Sequence, residues 1–185
     1  FTPGLIFEYV AQQDAYIVVG YQGTATSIYI PNTYSGKPVI GIKAQAFMNQ
    51  NTITDITVPN SVTYIGQKAF YNMSNLKNVY FDPGSQLERI EKEAFAQTKQ
   101  LVEVKLPSSL TYLGERAFYG SGIQEINIPE NITEILGYTF DQAKSLREVT
   151  FEGNNLKSIG VYAFRRTSLE EVILPDGLES LGNYS

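Results

Sequence analysis

The 185-residue sequence contains no cysteine and no histidine. Without cysteine it can form no disulfide, thiol nucleophile or thiolate metal site; this says nothing about compartment. Without histidine it lacks the commonest general base and the commonest metal ligand. No apolar run approaches the roughly 18 residues of a membrane-spanning helix. A starting Met and a signal-peptide pattern are both missing, so the sequence reads as an excised or processed piece of something longer. Positive charge is in the minority, with 14 Lys and Arg against 19 Asp and Glu for a net −5. Phosphate backbones need a cationic surface, so nucleic acid is not an expected partner. Neither a GxGxxG nor a GxxxxGK[ST] string occurs, so nucleotide cofactors have no support. No catalytic residue, cofactor or resident metal is expected.

What is present is repetition. "SVTYIGQKAF" at 61–70 returns as "SLTYLGERAF" at 109–118 and "NLKSIGVYAF" at 155–164. Looser copies are "GIKAQAF" at 41–47, "QLERIEKEAF" at 86–95 and "NITEILGYTF" at 131–140. The closing residues Phe47, Phe70, Phe95, Phe118, Phe140 and Phe164 are separated by 23, 25, 23, 22 and 24 residues. Such a period means stacked supersecondary units rather than a conventional globule. Unrelated hairpins in a sandwich would not need a ladder of Phe.

A second element keeps step with the first: "ATSIYIP", "ITDITVP", "LKNVYFDP", "LVEVKLP", "IQEINIP", "LREVTFE" and "LEEVILP". Its apolar and polar residues alternate as in a half-buried strand, with Val104 and Leu106 inward and Glu103 and Lys105 outward. Pro has no N–H for a ladder and suits the corner that follows. Glu152-Gly153 turns the chain in its place in one copy. After the corner, Val62 and Ile65 and their equivalents point inward on a second short extended piece. Gly66, Gly114 and Gly160 permit a tight bend there, and the "AF" segment reads as one or two helical turns held by packing. Strands one repeat apart would pair in parallel into one curved sheet of seven, at ~4.8 Å spacing.

The unit LxxVxLPxSVTxIGxxAF resembles the leucine-rich repeats of the BspA-like, Treponema-type bacterial surface proteins over residues 25–185. The opening "FEYVAQQDAYIVVGYQG" and "SGKPVIG" resemble that family's usual start. A Cys common three residues after the Phe is replaced here by Gln50, Met73, Thr98, Ser121, Ala143 and Thr167. The expected fold is therefore α/β: a right-handed leucine-rich-repeat solenoid with a parallel concave sheet, short second strands and short helical turns. Residues 1–24 would form an N-terminal β-hairpin cap. Residues 25–185 would form the solenoid, with about six full repeats and a truncated seventh. The resemblance implies a secreted or surface-displayed, non-catalytic module for adhesion or protein binding. Its partner would be a host extracellular-matrix protein or a cell-surface glycoprotein. The alternative is a structural spacer that projects another domain.

Outward strand positions form two columns: Ser27, Asp55, Asn78, Glu103, Glu125, Glu148, Glu171, and beside it Tyr29, Thr57, Tyr80, Lys105, Asn127, Thr150, Ile173. Like charges abreast cost up to ~1 kcal/mol per pair. A run of Glu is thus either a surface for a basic partner or a cation such as calcium, or a filler that keeps an exposed sheet soluble. Lys77, Lys105 and Arg147 lie near enough in sequence to offset part of it. The candidate binding face is Tyr29, Asp55, Asn78, Tyr80, Glu103, Lys105, Glu125, Asn127, Glu148 and Glu171. A glycosidase would need two carboxyls in unlike environments within a pocket, which a regular ladder does not offer. Tyr64, Tyr71, Tyr112 and Tyr119 are expected near the convex side or flank, either as a contact surface or packed over neighbouring coils. "NMS" at 72–74, "NIT" at 131–133 and "NYS" at 183–185 fit the glycosylation pattern by chance.

Overall fold

The computed structural model describes every residue from Phe1 to Ser185. In chain order the strands are β1 (Leu5–Val10), β2 (Ala15–Tyr21), β3 (Ser27–Tyr29), β4 (Thr33–Tyr34), β5 (Lys37–Ile42), β6 (Asp55–Val58), β7 (Tyr64–Ile65) and β8 (Asn78–Phe81). They continue with β9 (Arg89–Ile90), β10 (Tyr112–Leu113), β11 (Glu125–Ile128), β12 (Glu134–Ile135), β13 (Glu148–Phe151), β14 (Ser158–Ile159) and β15 (Ser180–Leu181). Most coils contribute a longer strand to one wall and a two-residue strand to another. Like strands of successive coils pair in parallel, as β6 does with β8 and β7 with β9. At the front, β1 and β2 form an antiparallel hairpin, and β2 pairs in parallel with β5.

The motif Phe residues fill the middle of the stack. Phe47, Phe70, Phe95, Phe118 and Phe140 are fully buried, and Phe164 at the far end is partly so. Consecutive ring centroids lie 5.7, 5.1, 5.2, 5.7 and 5.3 Å apart. Burying each ring is worth roughly 1.5–3 kcal/mol. No coil could bury its ring alone, so register between coils is built into the core. Met73, Thr98, Ser121 and Ala143 fill the interior slot three residues after the Phe, while Gln50 and Thr167 are only partly buried.

The expected helical turns are absent, and with them the α part of the α/β expectation. The only helix is a 3₁₀ turn at Ala11–Gln13. The backbone hydrogen bonds explain why. Around Phe70, the N–H groups of Ala69, Tyr71 and Met73 donate three residues back, to Gly66, Lys68 and Phe70. The intervening Lys68, Phe70 and Asn72 donate instead to Lys92, Ala94 and Ala96 of the next coil. An α-helix would commit every donor to its own chain four residues back. Here alternate donors leave the coil, which requires left-handed backbone at two positions per turn chain, such as Lys68 (φ 56°) and Asn72 (φ 56°). The result is linked turns cross-braced between coils.

The concave wall also departs from a single sheet of seven. It divides into β3-β6-β8 and β11-β13. The intervening copy at 101–107 and the last at 169–175 form no strand ladder with their neighbours. The break follows the longest repeat, in which Pro83-Gly84 adds two residues between Phe70 and Phe95. On the opposite wall the turn ladder stays tight, with the Phe70 N–H 2.9 Å from Ala94 O and the Phe95 N–H 2.8 Å from Ala117 O. The wall of short strands is interrupted as well, between β10 and β12. In the last copy Ile173 is 87% exposed.

Candidate binding face

Strand register brings the outward residues together coil by coil. Ser27, Asp55 and Asn78 stand abreast, as do Tyr29, Thr57 and Tyr80. Across the break, Glu125 pairs with Glu148 and Asn127 with Thr150. Glu103 and Lys105 lie on the unpaired segment between the two sheets, and Glu171 on the unpaired last copy. Of the four acidic positions expected as a continuous ladder, only Glu125 and Glu148 are therefore register partners.

The polar groups of the first sheet satisfy one another. Asp55 accepts hydrogen bonds from the Asn78 amide at 2.7 Å and from the Thr54 hydroxyl. Tyr29 and Tyr80 remain 46% and 55% exposed beside them. In the second sheet the Asn127 amide donates to Glu152 and accepts from the Thr150 hydroxyl at 3.0 Å. Charge compensation is thinner than the sequence implies. Lys105 reaches Glu103 at only 4.0 Å, and Lys77 and Arg147 enter no ion pair with the column.

The sheet break opens the face into two recesses. One, of about 500 Å³, is lined by Glu103, Glu125, Glu148 and Glu152 and by three apolar residues, of which Val104 and Ile126 are almost wholly buried in the core. The other, of about 330 Å³, lies between Tyr80 and Lys105. Between them the N–H and C=O groups of Glu103–Leu106 make no backbone hydrogen bond. No three carboxylates of the chain converge closely enough to hold a metal ion. Glu152 belongs to this recess but not to the sequence-derived face. Its signal was visible, since it replaces the usual Pro at that corner.

Residues 40–86 and 82–185 match the BspA type leucine rich repeat region, in six copies. The chain belongs to the BspA-type leucine-rich-repeat family. The repeat geometry agrees with solved members of this class. A leucine-rich cell surface protein from Faecalibacterium prausnitzii superposes with a TM-score of 0.85 at 26% identity, over 98% of this chain and 50% of that one. A leucine-rich repeat protein from Bacteroides ovatus gives 0.74 at 23% identity, over 98% and 60%. The Treponema pallidum leucine-rich repeat protein gives 0.66 at 21% identity, over 86% and 85%. The BspA-type chain described here thus spans about half the length of the Faecalibacterium protein. No curated protein matches it. No helix in it is long and apolar enough to cross a membrane.

Proposed function

We propose that the concave face of this BspA-type chain binds a protein partner, as a non-catalytic adhesion module of an extracellular or surface-displayed bacterial protein. The observation that carries the reading is the opened sheet. A recess of about 500 Å³, lined mainly by polar residues that include four Glu, lies beside a segment whose peptide groups make no backbone hydrogen bond. Unpaired peptide groups and carboxylates supply directional contacts to a protein partner. Tyr29 and Tyr80 add aromatic area at low entropic cost. The surface location draws on the description of the Faecalibacterium relative as a cell surface protein, and the partner class, a host extracellular-matrix protein or a cell-surface glycoprotein, on the family resemblance.

The test is surface plasmon resonance against a panel of immobilised extracellular-matrix proteins. Reversing Glu103, Glu125 and Glu148 together to Lys should remove binding without lowering the melting temperature. Binding that survives the triple reversal, or no binding by the native chain, would favour a spacer role for the repeats.

A further inference from the structure

Away from the concave face, the flank that carries the linked turns has two recesses on either side of one half-buried ring, Tyr119. The first, of about 320 Å³, is lined by Gln97, Lys99, Gln142, Lys144 and Ser145 and by no carboxylate. These five side chains make no hydrogen bond within the molecule. Neither lysine enters an ion pair, whereas neighbouring cations are matched, Lys68 with Glu93 at 3.2 Å and Arg165 with Asp141 at 2.7 Å. The second recess, of about 270 Å³, continues past the ring among Arg116, Arg165, Glu93 and Asp141, whose charges are matched with one another.

In a chain of net charge −5, a recess with two unmatched ammonium groups and no acid favours an anion locally. The two free amides and the hydroxyl ask for a ligand with several hydroxyl groups, not a bare ion. The Tyr119 ring offers a flat apolar face to a flat partner. Volumes near the lower limit of small-molecule pockets suit one ring in each recess. We propose that this flank binds an acidic glycan, with one sugar ring stacked on Tyr119 and its carboxylate held by Lys99 and Lys144. Alternating donors and acceptors beyond the ring receive the next sugar.

The experiment is a titration of the ¹⁵N-labelled chain with sialyllactose, with trigalacturonate as a second acidic probe, lactose as the neutral counterpart and sodium sulfate as the bare anion. At least one acidic sugar should shift the backbone amides of Gly120–Gly122 and Ser145, with lactose about tenfold weaker. Lys99→Gln with Lys144→Gln should weaken that sugar about tenfold at unchanged melting temperature. Tyr119→Ala should abolish the shifts and Tyr119→Phe should keep them. The proposal is overturned if neither acidic sugar moves these amides, if lactose or sulfate binds as well, or if the double Lys variant binds undiminished. The concave triple reversal should leave this binding intact, so the two sites fail or succeed separately.

Discussion

Gly66 sits where the short strand ends, and its role is proximity, not bending. A Cβ built there would lie 2.5 Å from the Ala44 N and 2.8 Å from the Ile42 O of the preceding coil. The clash is with backbone, which cannot rotate aside. Gly66→Ala should therefore cost about 1–3 kcal/mol in urea denaturation, whereas a Gly needed only for a tight turn would show its effect through φ. The left-handed positions are the opposite case. At the first such position of each turn Gln45, Lys68, Glu93, Arg116, Tyr138 and Tyr162 have φ between 56° and 62°, and none belongs to the residue types that favour this region. At the second, Asn49, Asn72 and Gly120 do but Gln97, Gln142 and Arg166 do not. That is why the linked turns were illegible and a helical segment was expected in their place. The exposed Gln45 tests the strain: Gln45→Gly should leave stability unchanged or raise it by up to ~1 kcal/mol. Gln45→Val should lower it by about 1–2 kcal/mol, read from the same denaturation curves.

At the scale of elements, two charged contacts hold neighbouring pieces together, and neither could be read from spacing. The fully buried Asp141 carboxylate receives Arg165 in a two-pronged contact at 2.7 and 3.1 Å from the next coil. Removing the guanidinium would strand a charge in the interior, so Arg165→Ala should cost about 2–3 kcal/mol, below the full penalty for a deeply buried pair because the arginine is 35% exposed. Arg165→Lys should recover only part of this, since it restores charge without the fork. At the front hairpin, Lys37 of β5 and Tyr9 of β1 both hydrogen-bond the Asp14 carboxylate. Lys37 first, then Tyr9, holds Asp14 below its ordinary value of 3.8. The unfolded chain then binds the proton more readily, so this contribution is present above the ordinary carboxylate pKa and lost as pH falls through the folded one. Lys37 moves the other way, raised by Asp14, and its contribution fades only as pH rises through that raised value. Native-state amide protection at β1 and β2, taken relative to the intrinsic exchange rate at each pH, should therefore fall on acidification before that of the solenoid does, and Asp14→Asn should remove that early step. The pairs span different elements, so no local motif announces them, whereas the apolar alternation of each strand did.

For the whole molecule, stability in a stack is a sum over neighbouring coils, and a defect between two coils is both a weak point and an opening. The repeat made the Phe column legible, and the outward columns within each of the two sheets, because both depend only on aligning copies. It did not make the sheet break legible, because alignment absorbs an insertion that coordinates must accommodate. Deleting Pro83 and Gly84 tests the causal link. It leaves Phe81-Asp82-Ser85-Gln86-Leu87, equal in length to Leu106-Pro107-Ser108-Ser109-Leu110 one coil on. The shortened coil should let the 102–106 segment pair with β8 and β11, joining the two halves of the concave wall. Hydrogen exchange reads this directly. In the native chain the amides of Glu103, Val104, Lys105 and Leu106 should exchange far faster than those of β11; in the deletion they should become protected. Every glutamate of the column is retained in that variant, so its effect on partner binding separates shape from charge. If binding needs the opened recess, it should fall with the deletion although the acidic residues are untouched. Exchange that stays fast after the deletion would place the cause of the break in the 101–107 sequence itself, where Val102 is 45% exposed.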